Sequence, residues 1–562
     1  MKKYFLFMSV LASLFLAGCS QEEIAPDGED NGSGEANTSY MAVNLMSSDV
    51  KGTRAAAGYE DGSVDENNVE KVRFYFFTAN GAIAPVKFLN GSYVNYYDWT
   101  PGEKDQKKDV VDTDDTESVL NATIVISTKD GDKLPQSIAA VLNPTGLKDK
   151  SMNLTELKGV VTDYADPVLT SKGKFVMFNS VYGKDKAEVC AVPIESTNLQ
   201  KTPGNAEKNP ITIYVERSVA KVKVSLGTDV ASASSDKLQL ADKDGNDLKV
   251  GGEQVYLKLG GWSLTAETTE GRLVKAINPT WASDWWNGSG AFAHRSFWAI
   301  NSKDAANKYS VSYNDITTLF TTAKYTNENA LDYDTESPIN RTKVILKGQL
   351  CKADGSNFTI VRHLGAHFAD TYSETPADNL PALKANILSQ LTANGYNYYL
   401  ENESTRTGLS ANDLKIVIAT QDKIENSKNN CYVYAQLTDE AVQKTWYNSL
   451  DKTVTTTITA SEINNNLKDK DIVDWALVWK DGMTYYYYEI IHYGIGENAT
   501  KGVVRNHIYD TKITKIAGLG TPVYNPDEVI YPEKPDENNH YIAAEINILS
   551  WRIVSNEYAL EW

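Results

Sequence analysis

Ser39-Tyr40-Met41-Ala42-Val43-Asn44-Leu45-Met46 alternates, with Met41, Val43 and Leu45 on one face of an extended chain. A period of two with apolar side chains on one side is the pattern of a half-buried β-strand, so the stretch predicts a first strand and points to a β fold. A second such pattern lies at the far end. From Trp551 to Trp562, the residues Val554, Asn556, Tyr558, Leu560 and Trp562 share one face, while Ser555, Glu557, Ala559 and Glu561 fill the other. This strand comes after the proline- and acid-rich stretch Tyr524 to His540. It needs a sheet, and that sheet can belong to another molecule.

Upstream of the first strand, Met1, Lys2 and Lys3 precede an apolar run from Tyr4 to Ala17. The run is too short to span a bilayer as a stable helix and reads as a secretory signal over residues 1–18. Its ending, Leu16-Ala17-Gly18-Cys19, resembles the bacterial lipobox, which implies that Cys19 is acylated and becomes the first mature residue. Two or more acyl chains are what stable anchoring requires. The following Ser20-Gln21-Glu22-Glu23, with acids continuing to Asp30, resembles the export tag that carries some lipoproteins of gut and oral anaerobes to the outer face of the outer membrane. Up to Ser39 the chain is rich in Gly, Asn, Ser and acids, a composition that cannot offset its own ordering entropy, so it reads as a tether. Downstream, Lys51-Gly52-Thr53-Arg54-Ala55-Ala56-Ala57-Gly58 sets an isolated arginine among small residues. Such a loop is where proteases cut, and the plainer alternative is a surface loop in which Arg54 has no role.

Composition bounds the partners. Lys and Arg number 55 against 74 Asp and Glu, a formal charge of −19 over 562 residues. Nucleic acid and anionic membrane surfaces both need clustered cations, so both are disfavoured. The length and the 41% hydrophobic content supply two domains with separate cores. The 32 Tyr and 11 Trp favour strands. No second apolar run is long enough for a membrane span, which leaves anchoring to Cys19. With that residue acylated, Cys190, Cys351 and Cys431 remain, too few for a disulfide scaffold and best read as small buried hydrophobes.

Strand patterns recur at Val69 to Thr78, near Tyr93 to Tyr97, and at Asn121 to Thr128, Ser137 to Asn143, Lys174 to Val181 and Ala187 to Ile194. With the first strand these make about seven strands, enough for a small β-sandwich. The polar stretch Glu195 to Pro210 reads as the domain boundary. One long strand over Ile211 to Leu226 then opens a second unit, followed by strands at Val255 to Leu259, Thr342 to Leu350, Asn430 to Leu437, Met483 to Tyr493 and Val503 to Ile516. The spacing of Leu383, Ile387, Leu388 and Leu391 predicts a helix ending at Gly395, and Thr438 to Asn448 a second, weaker one.

Motifs for chemistry fail on their details. His363 and His367 stand four apart, but no glutamate lies between them and no third ligand is placed. Asp242 to Asp247 brings its glycine two places too early for an EF-hand loop and reads as a hairpin turn. Asn287-Gly288-Ser289-Gly290 lacks the pattern of a nucleophile elbow, and neither a phosphate-binding loop nor a dinucleotide fingerprint occurs. The expectation is no catalytic residue, no metal and no cofactor. The aromatic clusters Tyr93 to Trp99, Trp281 to Trp286, Asn397 to Tyr399 and Tyr485 to Tyr488 fit either a glycan-binding face or, better, sandwich core.

Three stretches carry a resemblance: Val215-Glu216-Arg217-Ser218-Val219-Ala220-Lys221-Val222, Gly502-Val503-Val504-Arg505-Asn506-His507-Ile508-Tyr509 and Ala544-Glu545-Ile546-Asn547-Ile548-Leu549-Ser550-Trp551. They are similar to the matching parts of the major subunit of the short fimbriae of oral and gut anaerobes, in the fimbrillin or type V pilin superfamily. The resemblance implies a mainly β protein of two tandem transthyretin-like β-sandwich domains with a C-terminal donor strand. It implies the division 1–18 signal, 19–54 lipidated propeptide with the first strand, 55–205 and 206–540 sandwich domains, and 541–562 donor tail. It further implies acylation at Cys19, cleavage at Arg54–Ala55 by a trypsin-like arginine-specific protease, and Val554, Tyr558, Leu560 and Trp562 as the donor strand of the next subunit. A protease of other specificity would cut at Lys51 instead. The expected partners are identical and accessory fimbrial subunits, the maturation protease and, through the lipid, the outer membrane, with adhesion and biofilm formation as the role. The competing expectation is a monomeric surface lipoprotein that binds glycan or host protein, its tail folded back on its own second domain.

Overall fold

The computed structural model of the protein describes residues 38–46, 62–88, 91–102, 106–107, 119–127, 134–184, 187–233, 237–242, 244–277, 294–295, 299, 307–308, 310–330, 341–370, 380–401, 403–419, 431–493, 500–523, 525–532, 542–549 and 552–553. The protein is mainly β, and its apolar side chains collect into three large cores.

The first core is wrapped by one continuous ladder. Its order runs Tyr93–Val94, Val86–Phe88, Val119–Ser127, Thr38–Met46, Ile211–Arg217, Met177–Asn179, Ser137–Leu142, Val72–Phe77 and Tyr96–Trp99. Strand Val72–Phe77 is buried at every position, which explains why its run of aromatics shows no alternation. Ile211–Arg217 serves both halves of the ladder: its first residues pair with Thr38–Met46 and its last with Met177–Asn179.

The expected single strand from Ile211 to Leu226 is two. Ser218 and Val219 interrupt it, and Ala220–Leu226 pairs in parallel with His507–Ile516 in a different sheet. The cause is tertiary: the Ser218 amide donates to Val176 O at 2.9 Å, and the Asn506 amide to Val219 O at 2.8 Å. The chain therefore changes cores between Val219 and Ala220.

The second core lies between two five-stranded sheets. One is ordered Lys324–Thr326, Ala220–Leu226, His507–Ile516, Ile542–Leu549 and Arg552–Ile553; the other is ordered Leu238–Gln239, Tyr256–Thr265, Lys343–Cys351, Met483–Glu489 and Thr521–Pro522. A bulge at Leu259/Gly261 bends Tyr256–Thr265. Gly261 sits there at φ +138°, and a Cβ would lie 2.9 Å from Thr318 O, so only glycine fits.

A third core falls inside the second half of the chain. Strands Ala366–Ala369, Ile360–His363, Ala476–Trp479, Cys431–Leu437 and Leu414–Ile418 form a sheet, and helices Pro381–Ala393 and Ala460–Lys468 cover its inner face through Leu383, Ile387, Leu391, Ile463 and Leu467. Helix Pro381–Ala393 matches its expected position, with Gly395 beyond its end at φ +90°. The other expected helix is only Asp439–Val442, since Trp446–Tyr447 is already a strand.

Candidate assembly site: the first-strand groove and the domain junction

Thr38–Met46 lies inside the first ladder rather than at its edge. It runs antiparallel to Val119–Ser127 through nine paired positions, and parallel to Ile211–Tyr214 through four. Met41 and Val43 are fully buried and Leu45 is 2% exposed. Across the ladder Met41 faces Ile124, Val43 lies between Ala122 and Ile211, and Leu45 between Leu120 and Ile213; all of these are buried. At the strand's start Ser39 is opposite Ile126 and supplies the one hydroxyl on that face. The strand thus fills a groove with two hydrogen-bonding walls and an apolar floor.

After Met46 the next described residue is Gly62, and the chain is at once clamped. Ser63 caps the short helix Val64–Asn67 in a capping box with Glu66. Glu66, 1% exposed, takes a hydrogen bond from Tyr325 Oη at 2.5 Å and an ion pair from Lys221 Nζ at 2.9 Å. Burial alone would raise its carboxyl, but Tyr325 and Lys221 override that and hold it at about 2. Arg217 donates to Glu66 O and to Asn67 on one side and to Asn506 Oδ1 on the other.

Arg217, Lys221 and Asn506 belong to two of the three stretches that carried the family resemblance, and both stretches meet here, between the first and second cores. Arg505 donates to Leu273 O at 2.8 Å and Arg272 O at 2.6 Å and pairs with Glu328 at 2.5 Å. Burial would lower the Arg505 guanidinium, but Glu328 raises it above its ordinary value. Glu216 faces Lys275 Nζ at 2.7 Å, both almost fully buried, as an ion pair rather than an aligned hydrogen bond. Asn327 adds a neutral tie, accepting from the Tyr164 and Ala165 amides and donating to Asp163. Paired and hydrogen-bonded charges of this kind fix one geometry, because separating any partner strands a buried charge.

Cys19, Arg54, Ala55, Val554, Tyr558, Leu560 and Trp562 lie outside the described residues, as do Lys51, Trp281 to Trp286 and Asn287 to Gly290. Just ahead of the tail, Ile542–Leu549 pairs antiparallel with His507–Ile516 of its own chain, and Arg552 pairs with His507. His363 and His367 sit on a hairpin turned by Leu364 and Gly365, with His367 opposite Arg362. Among the described residues no cluster of three metal-ligating side chains occurs, and no helix is long and apolar enough to cross a membrane. Asp242 closes a turn by accepting from the Asp244 and Asn246 amides. Tyr398, Tyr485 and Tyr486 are core residues, and Tyr96, Tyr97 and Trp99 pack against the first core. Cys190 and Cys351 are buried and form no disulfide, and burial pushes the Cys190 thiol up to about 11.

Sequence reading missed the junction as a unit. Its signal was there: Glu216, Arg217 and Arg505 interrupt otherwise apolar strand runs, which marks charges destined for burial. The elements define a β protein in which Thr38–Met46 completes a ladder from within. Residues 478–557 match the family model for the major fimbrial subunit protein type IV, Fimbrillin, C-terminal. That span holds the Gly502 to Tyr509 and Ala544 to Trp551 stretches, so the C-terminal region is similar to the C-terminal part of fimbrial major subunits.

Among solved structures, the chain is similar to the tip fimbrial protein Mfa3 of Porphyromonas gingivalis, solved with a C-terminal truncation. The identity is 11%, covering 92% of this chain and 100% of that one, with a TM-score of 0.30. A fimbrial assembly protein of Parabacteroides distasonis matches at 10% identity over 74% of this chain and 99% of its own, with a TM-score of 0.28. A candidate cell adhesion protein of Bacteroides eggerthii matches at 11% identity over 92% and 97%, with a TM-score of 0.34. No curated protein matches the chain.

Proposed function

We propose that this chain is a structural subunit of a cell-surface fimbria, exported as a lipoprotein acylated at Cys19 and matured by cleavage at Arg54–Ala55. Its first strand then leaves, and the Val554 to Trp562 tail of the next subunit takes its place. The observation that carries this reading is the position of Thr38–Met46: buried within a ladder, yet separated from the Glu66 clamp by a stretch of small residues with Arg54 midway along it. The match of residues 478–557 to the fimbrillin C-terminal family supports the same reading. While covalently attached, the strand competes for its groove at an effective concentration in the millimolar range or above, so a free tail cannot displace it. Cleavage removes that advantage and leaves the remaining chain held at Ser63 and Glu66. The role is structural rather than catalytic, in adhesion and biofilm formation, with identical and accessory fimbrial subunits as partners.

The test is Arg54→Ala. The variant is expected to reach the surface lipidated and folded, to keep residues 19–54, and to remain monomeric by electron microscopy and mass. Normal fimbriae built from a chain whose N-terminus is still Cys19 would overturn gating by cleavage. The second reading, a monomeric lipoprotein that binds glycan or host protein, draws on the pairing of Ile542–Leu549 within its own sheet. The burial of Tyr398, Tyr485 and Tyr486 weighs against it, since it withdraws those rings from a glycan face.

A further inference from the structure

Strands Lys343–Cys351 and Met483–Glu489 are neighbours in one sheet, and Gln349 is paired with Met483. A short turn suffices to join antiparallel strands placed that way. Instead the chain inserts residues 352–482, which carry the whole third core. We propose that the open sheet face of this inserted unit binds a carboxylated glycan. Trp475 and Tyr434 form the platform for the sugar ring, and Arg362 and Lys470 pair with its carboxylate.

The two faces of the sheet are used differently. Helices Pro381–Ala393 and Ala460–Lys468 cover the inner one. On the outer face Ile360, Leu477 and Trp479 dock on the second core, and the Trp479 indole donates to Gly520 O at 3.2 Å. That contact ends at Leu477 and Tyr432, which are opposite each other in the ladder. By strand alternation Trp475, Tyr434, Val417 and Gln436 continue the same face beyond it, and none of the four is buried. The Trp475 and Tyr434 rings stack at 5.5 Å with 24° between their planes, and Tyr432 lies 6.4 Å from Trp475. The Trp475 indole is fixed by its bond to Lys468 O at 2.9 Å. Tyr398, Tyr485 and Tyr486 are core rings; Trp475 and Tyr434 are not. Flat rings held at the surface suit the C–H face of a pyranose, which is apolar on its flat side and bordered by hydroxyls.

Charge selects among sugars. Lys470 Nζ stands 4.4 Å from the centre of the Trp475 ring and 5.4 Å from that of Tyr432. Arg362 is opposite Leu477, which makes it the diagonal neighbour of Trp475, about 7–8 Å away and within reach of a long side chain. Among the described residues neither cation has a carboxylate partner, and burial lowers the Arg362 guanidinium with no anion to offset it. Nearby acids are mostly taken: Asp439 by Lys415 at 2.6 Å, Asp469 by the Asp471 amide at 3.0 Å and Asp474 by Gln390 at 2.9 Å. Asp471 is left against two cations. In a chain of net charge −19 this is a local reversal of sign beside exposed rings. An ammonium over an exposed ring is weakly held, so Lys470 is free to swing onto a carboxylate, while a guanidinium binds one through two parallel bonds. An acidic peptide would match the charge, but a flat face leaves its backbone groups unpaired.

The test uses the full-length Arg54→Ala chain, so that it reads a single molecule whether or not strands exchange. The probes are 3′-sialyllactose, a hyaluronan hexasaccharide, lactose and a polyglutamate peptide, each titrated by calorimetry. At least one carboxylated glycan is expected to bind, about 10-fold or more tighter than lactose and more weakly as salt rises. Binding of sialyllactose alone assigns a sialic acid, of hyaluronan alone a uronic acid, and of both a carboxylate read on either sugar. Lys470 is exposed, so Lys470→Glu leaves the fold intact; it should weaken binding about 10-fold or more, whereas Lys470→Arg should retain it. Trp475→Ala should cost more affinity than Trp475→Tyr, with melting curves recorded for both. No binding of either carboxylated glycan, equal binding of lactose, or an unchanged affinity in Lys470→Glu would overturn the proposal. Polyglutamate bound as tightly as the better glycan overturns it in favour of an acidic protein. All of these results leave strand exchange standing, since that is read separately from polymer formed by wild-type chain cut at Arg54.

Discussion

Leu45→Ala separates the stability of the precursor from that of the polymer. Leu45 is 2% exposed and packed between Leu120 and Ile213, so its truncation removes a core side chain that neighbouring strands cannot collapse to replace. Large-to-small changes at such sites cost about 2 to 5 kcal/mol. The same loss raises the population in which the strand has left its groove by about 30- to 4,000-fold, at roughly 1.4 kcal/mol per decade. Urea unfolding of the Arg54→Ala precursor, with and without Leu45→Ala, measures the first quantity. Hydrogen exchange at the amides of Val119–Ser127 measures the second. Protein cut at Arg54 should then assemble faster when it carries Leu45→Ala, yet the finished polymer should melt like wild type, because its grooves hold tails and not first strands. A loss under about 1 kcal/mol in the precursor refutes the structural role assigned to Leu45. A polymer destabilised as much as the precursor refutes the idea that the strand has been replaced.

Cys19→Ala should abolish fatty-acid labelling of the precursor and its retention at the surface, read by metabolic labelling and cell fractionation. The Glu66 carboxyl, held at about 2 against an ordinary 4.5, contributes stability present above pH 4.5 and lost as pH falls toward 2. That contribution is on the order of 3 kcal/mol, so Glu66→Gln should flatten the acid limb of a stability–pH curve between those values and weaken the protein at pH 7, where the ion pair with Lys221 is lost. The Cys190 thiol, pushed up to about 11, should stay unalkylated at pH 8 in the folded protein and react on unfolding, as peptide mass spectrometry will record.

What sequence reveals here follows the range of the interactions involved. The strands Val72–Phe77, Ser137–Leu142 and Lys343–Cys351 were legible from pattern alone, within a few residues at each end. The break at Ser218 and Val219 was not, since neither glycine nor proline marks it and its stabilising bonds come from Val176 and Asn506, remote in sequence. Helix Ala460–Lys468 was overlooked although Thr459 and Glu462 form its capping box, a spacing readable without any structure. The junction charges could be recognised as misplaced in apolar runs, but the choice of Lys275 for Glu216 and of Glu328 for Arg505 is a product of topology. For the groove, the inward face of Thr38–Met46 was evident from alternation, whereas its two walls were not.

One short path, covalent through Ser218 and Val219 and hydrogen-bonded beyond Leu226, links the groove to the tail. Ile211–Arg217, a groove wall, continues through Ser218 and Val219 into Ala220–Leu226, which lies parallel to His507–Ile516, itself antiparallel to Ile542–Leu549 just ahead of the tail. Pulled from both ends in a fibre, these ladders would be loaded along the strand axes. Hydrogen bonds strained that way must yield together, as in a lap joint, instead of one at a time as in a zip. Mechanical strength would then come from strand direction, with the buried ions of the junction acting as the rivet that stops one sandwich from rolling over the other.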